Sequence, residues 1–155
     1  MMINGRAALS CTTLADPGGV YTCEPLTNFP VKRDLVVDLT PKIDQMRPFH
    51  PYLIEGGHPV QSREEAEAGK KLRTCVECWA CVAVCPISLT APAHALMMVK
   101  LARFELDPRD GADRREEAQR GGLDAYTAQC ASCRACESVC PKGIDVFIDA
   151  IQVLT

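Results

Sequence analysis

CVECWACVAVCP (Cys75–Pro86) and CASCRACESVCP (Cys130–Pro141) are two copies of one pattern, C-x2-C-x2-C-x3-C-P. They hold eight of the ten cysteines in a chain of 155 residues. Two-residue gaps let three thiolates converge on three irons of a cube while backbone amides turn inward towards its sulfides. The fourth cysteine comes about a helical turn later, points away and serves the neighbouring cube, and the proline stops the chain there. The spacing therefore predicts one [4Fe–4S] cluster on Cys75, Cys78, Cys81 and Cys140, and a second on Cys130, Cys133, Cys136 and Cys85. Ligands crossed in this way would tie the two runs into one domain.

Zinc is the competing use of such thiols. Zinc sites are usually built from two C-x2-C pairs or from cysteine with histidine, so two complete four-cysteine runs, each closed by proline, favour iron and sulfide. Disulfides are the other alternative. Met1–Cys11 lacks a charged segment followed by a long apolar one, so a reducing compartment is expected, where a disulfide framework is out of place.

Composition narrows the function classes. Hydrophobic residues at 47% and charged residues at 24% describe a folded chain rather than a disordered one. A net charge of −3 argues against a nucleic-acid partner, which would favour a basic stripe. No stretch reaches the roughly 18 uncharged apolar residues of a membrane span. Aromatic residues are only 5%, so few large side chains are available to fill a core.

The chain changes character near residue 60. Before it, seven prolines disfavour any long helix. Asn4-Gly5 signals a two-residue hairpin turn, and Val31–Leu39 reads as a strand or a short helix. Beyond residue 60 the pattern is helical. Ser62 with Glu65 forms a capping box for SREEAEAGKKLR. Thr90 and Pro92 open a helix with Met97, Leu101 and Phe104 on one face, and Asp107-Pro108 ends it. Asp110–Arg120 reads as a charged, exposed helix closed by Gly121-Gly122. Asp145–Leu154 places Phe147, Ile151 and Leu154 at helical spacing. His50 and His58 lie in proline-rich turns and read as packing residues. His94 is expected near the first cluster, Trp79 is expected to pack over that cluster, and Cys23 is expected as a buried apolar thiol.

Beyond the cysteine runs, GVYTCEPLTNFPVKRDLVVDL (Gly19–Leu39), ARFELDPRD (Ala102–Asp110) and CPKG (Cys140–Gly143) carry a further signal. Together with the runs they resemble the iron–sulfur subunit of succinate dehydrogenase and fumarate reductase over nearly the whole chain. The resemblance implies a mainly α fold: an α-helical ferredoxin domain at 61–155 with two clusters, a linker at 41–60, and at 1–40 the C-terminal remnant of a β-grasp, plant-type [2Fe–2S] ferredoxin domain. It implies a non-catalytic electron-transfer subunit of an oxidoreductase, passing electrons between a flavoprotein subunit and quinone at a membrane-anchor subunit. The expected location is cytoplasmic, peripheral on the inner face of the cell membrane through those partners.

Three departures from the family pattern bear on this. Family members carry C-x4-C-x2-C ahead of a segment like Met1–Arg6, so the resemblance implies a truncated start. Cys11 is then an orphan [2Fe–2S] ligand, useful only if the missing N-terminal half is supplied. Cys133 fills a position that is not cysteine in many succinate dehydrogenases, where the cluster is [3Fe–4S]; here the complete set favours [4Fe–4S] over [3Fe–4S]. Ala131 and Pro86–Leu89 stand where the histidine and aromatic groups of a quinone site often lie. Cys133 also keeps open a second function, the iron–sulfur subunit of a heterodisulfide- or glycolate-type oxidoreductase. A free diffusible ferredoxin would have no use for the linker or for the helical insert between the runs.

Overall fold

The computed structural model describes residues 1–90 and 94–155, so Pro92, expected at a helix start, lies outside the described residues. Strands β1 (Met2–Ile3) and β2 (Arg6–Ala7) form a hairpin, and β3 (Cys23–Glu24) pairs antiparallel on the other side of β1. Asn4 and Gly5 take φ of 49° and 75°, the left-handed pair that a two-residue turn requires. Asn4 also ties β1 to the chain before β3: its N–H donates to Thr22 O and its Oδ1 accepts from Thr22 N–H, both at 2.9 Å. Val31–Leu39 is neither a single strand nor a helix. It folds as a second hairpin, β4 (Val31–Arg33) and β5 (Val36–Val37), turning at Asp34 with φ 49°.

Helix α1 (Thr40–Met46) is the longest helical element before residue 60, with Pro41 in its first turn. Further on, α2 (Arg63–Ala68) opens on the Ser62–Glu65 capping box: Glu65 N–H donates to Ser62 Oγ at 3.2 Å and Ser62 N–H donates to Glu65 Oε2 at 2.7 Å. Gly69 breaks the expected single helix, and α3 (Lys70–Arg73) follows it.

Helix α5 (His94–Glu105) is the hub of the helical part; the short α4 (Ala80–Val84) precedes it in the chain. Nine of its twelve residues are buried, so it is a core helix covered all round rather than one with a single apolar face. Around it pack α3, α4, α6 (Arg114–Arg120), a π-helical turn over Val146–Ile151 and the terminal α8 (Gln152–Leu154). Between α6 and the π-helical turn lies α7 (Thr127–Cys133).

Helix α6 differs from the exposed stretch expected. Arg114 is fully buried and Glu117 and Ala118 nearly so. Arg114 uses its whole guanidinium fork: Nε and Nη2 donate to Asp110 Oδ2 at 3.0 and 2.6 Å, Nη2 also to Tyr52 O at 2.7 Å, and Nη1 to His50 O and Glu117 Oε2 at 3.1 and 2.7 Å. Charge density in the sequence signalled solvent, but here the charges satisfy one another and pin residues 50–52 to the helical part.

The same stretch before α2 is fastened to the Asp107–Gly111 loop by His58 N–H to Pro108 O at 2.5 Å and by Gly111 N–H to Ile54 O at 2.8 Å. The backbones approach so closely that a Cβ on Gly57 would lie 2.4 Å from Pro108 O and 2.5 Å from Arg109 C. Backbone cannot rotate away as a side chain can. Gly57→Ala is therefore expected to cost about 1–3 kcal/mol. The check is the melting temperature of the variant; one equal to the parent's would show that the loop gives way freely.

Candidate metal centres

The two cysteine runs share a backbone design. The residue after the second cysteine of each, Trp79 and Arg134, is left-handed, with φ of 64° and 47°. A non-glycine residue rarely holds this conformation. In both runs it reverses the chain so that the third cysteine turns back towards the first two. The last cysteines, Cys85 and Cys140, are both extended (φ/ψ −77°/117° and −74°/114°), as a residue before proline must be. Pro86 then starts a 3-10 turn ending at Leu89, and the chain after Pro141 turns at Gly143 with φ 64°.

These turns gather the thiols around two cavities. The first is lined by Cys75, Cys78, Cys81 and Cys140. Its other walls include Trp79, Leu96, Val99 and Ile144. The second is lined by Cys85, Cys130, Cys133 and Cys136, with Ile87, Ala95, Phe147 and His94. Val146 touches both. Among the described residues no three Cys, His, Asp or Glu side chains converge closely enough to hold one metal ion. Four thiols spaced around a largely apolar cavity fit a cluster in which each sulfur meets a different iron.

Electrostatics agrees with that fit. Burial, and after it the neighbouring thiols, pushes Cys136 up to about 12 and Cys130 up to about 11, and raises Cys75 and Cys81 as well. Unligated, these thiols would stay protonated, and binding a metal would release their protons. Hydrogen-bond donors reach two of the sulfurs: Ile144 N–H points at Cys140 Sγ from 3.3 Å, and His94 Nε2 lies 3.4 Å from Cys130 Sγ. His94 therefore belongs to the second cavity, not to the first as expected. Its ring also meets the Tyr126 ring edge-on, with centroids 5.4 Å apart. Burial pushes its pKa down to about 4.

The remaining expected residues divide. Trp79 lines the first cavity and meets Phe29 edge-on at 5.9 Å. Cys11 is exposed, in a 3-10 turn at Ser10–Thr12. Cys23 holds the expected strand position but is exposed rather than buried, because nothing covers β3, both of whose residues are exposed. His50 Nδ1 pairs with Glu117 at 3.0 Å, and His58 Nδ1 meets Val60 O at 2.8 Å.

Asn28 and Lys42 had no signal in the sequence that marked them, yet both brace the turn carrying Cys85. Asn28, left-handed at φ 65°, points Nδ2 at the carbonyls of Val82, Ala83 and Cys85, at 3.0, 2.8 and 3.1 Å. Lys42 is buried and its Nζ donates to Ser88 O. An amide NH2 has two hydrogens to share among these acceptors. Asn28→Ala is thus expected to cost about 1–3 kcal/mol, from two lost bonds of about 1 kcal/mol each. Chelator-driven iron release should quicken in the variant, and an unchanged release rate would show that Asn28 does not hold this turn.

Two protein-family models match the chain. Residues 70–144 match the 4Fe-4S dicluster domain, and residues 1–44 match the 2Fe-2S iron-sulfur cluster binding domain. The chain is 37% identical to the fumarate reductase iron-sulfur subunit of Mycobacterium tuberculosis, over 94% of its own length and 63% of that protein. It is 34% identical to a subunit of the fumarate reductase (CoM/CoB) of Methanothermobacter marburgensis, over 98% of its own length and 30% of that protein. It thus spans about a third of the methanogen protein and somewhat under two thirds of the mycobacterial one. Among solved structures it resembles a chain of the Mycobacterium smegmatis Sdh1 complex in the apo form, with a TM-score of 0.77 and 27% identity, covering 98% of this chain and 68% of that one.

Proposed function

Because this chain is a homologue of the iron–sulfur subunits of fumarate reductases and succinate dehydrogenases, we propose that it carries electrons between a flavoprotein subunit and quinone at a membrane-anchor subunit. The observation that carries this is the pair of four-thiol cavities separated by Val146. Cys75, Cys78, Cys81 and Cys140 would hold one [4Fe–4S] cluster, and Cys85, Cys130, Cys133 and Cys136 the other. Each cluster supplies one-electron chemistry. The chain's own part is to keep water out, to fix the sulfurs and to set the distance between the two centres.

The helical ferredoxin unit is taken as 61–155, the linker as 41–60, and 1–40 as the part belonging to a plant-type ferredoxin domain. Cys11 would ligate a [2Fe–2S] cluster only together with three thiolates from outside residues 1–155. No helix among the described residues is long and apolar enough to cross a membrane. Attachment to the inner face of the cell membrane would come through partner subunits, as the likeness to a chain of the Sdh1 complex suggests. Substrate turnover would rest with the flavoprotein.

Anaerobic reconstitution of the full chain with iron and sulfide, followed by metal analysis and EPR, tests this directly. About eight irons per chain are expected. About four or fewer, or zinc in their place, would reject the two-cluster assignment. Cys133 decides the type of the second cluster. Cys133→Ser should favour loss of one iron and give a [3Fe–4S] EPR signal in the oxidised variant. The same signal, strong in an anaerobically prepared parent, would show that Cys133 holds no iron. A heterodisulfide- or glycolate-type complex is the second assignment, favoured by the same complete cysteine set; failure of a succinate-reduced flavoprotein to reduce the chain would shift the balance towards it.

A further inference from the structure

His94 stands apart from every other group around the two cavities. It is 1% exposed and begins the described part of α5. Its Nε2 faces Cys130 Sγ at 3.4 Å, within reach of an N–H···S hydrogen bond. Among the described residues it makes the only side-chain hydrogen bond to any of the eight thiols of the two runs, whereas the Ile144 N–H that reaches Cys140 is backbone. The ring is held from the side by Tyr126, at an interplanar angle of 71°. Its Nδ1 is buried and has no partner among the described residues. The two cavities otherwise match closely, with four thiols each and the same left-handed turn. His94 makes them unequal.

We propose that His94 is a positioning residue that sets the reduction potential of the second centre by donating Nε2–H to the Cys130 sulfur. The proposal rests on the iron–sulfur assignment above. A sulfur ligated to iron presents lone pairs, so the hydrogen must sit on the nitrogen facing it. When the centre takes up one electron, the added negative charge spreads onto the ligand sulfurs. A donor fixed at one of them stabilises the reduced state more than the oxidised state, and the potential rises. No bond breaks and no proton leaves His94; the electron is the only particle that moves. Since the ring is already buried and braced, little reorganises during the transfer.

The test is an EPR-monitored redox titration of the anaerobically reconstituted full chain, comparing the parent with His94→Phe and His94→Gln. Loss of signal in Cys85→Ala identifies the second centre. His94→Phe keeps the bulk and removes the donor. At a fixed potential it should lower the reduced-to-oxidised ratio of the second centre about tenfold, which is about 59 mV for one electron, with the first centre unmoved. His94→Gln returns an N–H near the lost Nε2 and should recover most of the shift. An unchanged second centre, or equal shifts at both centres, would overturn the proposal. A second measurement does not depend on the variants. Pulsed EPR of the parent carrying 15N-labelled histidine should show a coupled imidazole nitrogen on the second centre. A full complement of iron without that coupling defeats the role of His94 alone, whereas a parent that forms no second cluster defeats the iron–sulfur assignment and this proposal together.

Discussion

Arg114→Ala is expected to destabilise the protein by about 3–5 kcal/mol, the usual cost of removing one partner from a buried ion network. The side chain is fully buried, and each of its five N–H groups has an acceptor on Asp110, Glu117, His50 or Tyr52. Alanine leaves two buried carboxylates without their cation and two carbonyls without a donor. It also strips the guanidinium from the Phe104 ring, 5.1 Å away. For a chain of this size the melting temperature should fall by on the order of 10 °C. Arg114→Lys keeps the charge but not the fork, so it should recover only part of the loss. Arg120 is the control: it is largely exposed and lies 3.7 Å from Glu116, and its removal should change stability by less than about 0.5 kcal/mol. A loss at Arg114 no greater than at Arg120 would contradict the network.

The ligand variants should produce the largest change in metal content. Cys140→Ala and Cys85→Ala should each reduce the iron from about eight to about four per chain. The pattern of the residual spectra is more informative than the count. Cys140→Ala should leave the same surviving signal as Cys75→Ala, since these thiols face one cavity. Cys85→Ala should match Cys130→Ala for the same reason. If Cys140→Ala instead matched Cys130→Ala, each run would be closing on its own fourth cysteine. Because metal binding and folding are linked, a variant that loses one cluster should also be more easily proteolysed around the emptied cavity.

Short-range chemistry was the legible part of this fold. Asn4-Gly5 announced its turn because few residue pairs accept two left-handed conformations. Ser62 and Glu65 announced a helix start because their mutual hydrogen bonds need only three residues of separation. Burial was harder to read. Arg114, Glu117 and Asp110 look like solvent-facing charges until the carbonyls of residues 50 and 52 arrive from far along the chain. Cys23 looks like a core thiol until β3 is seen to have no layer packed over it. Val31–Val37 alternates too briefly to separate a hairpin from one strand, and the left-handed Asp34 decides it. His94 follows the first cysteine run in sequence but faces the second, because the start of α5 lies against α7. Asn28 and Lys42 act at a turn more than forty residues away, and no local pattern marks such a contact.

Val146 is a single buried side chain with one cavity on each side. The side chain shared by the two cavities is apolar. Its isopropyl group carries no dipole that would have to turn as charge passes from one side to the other. Centres held on its two faces would face one another across matter that does not answer their charge by reorienting.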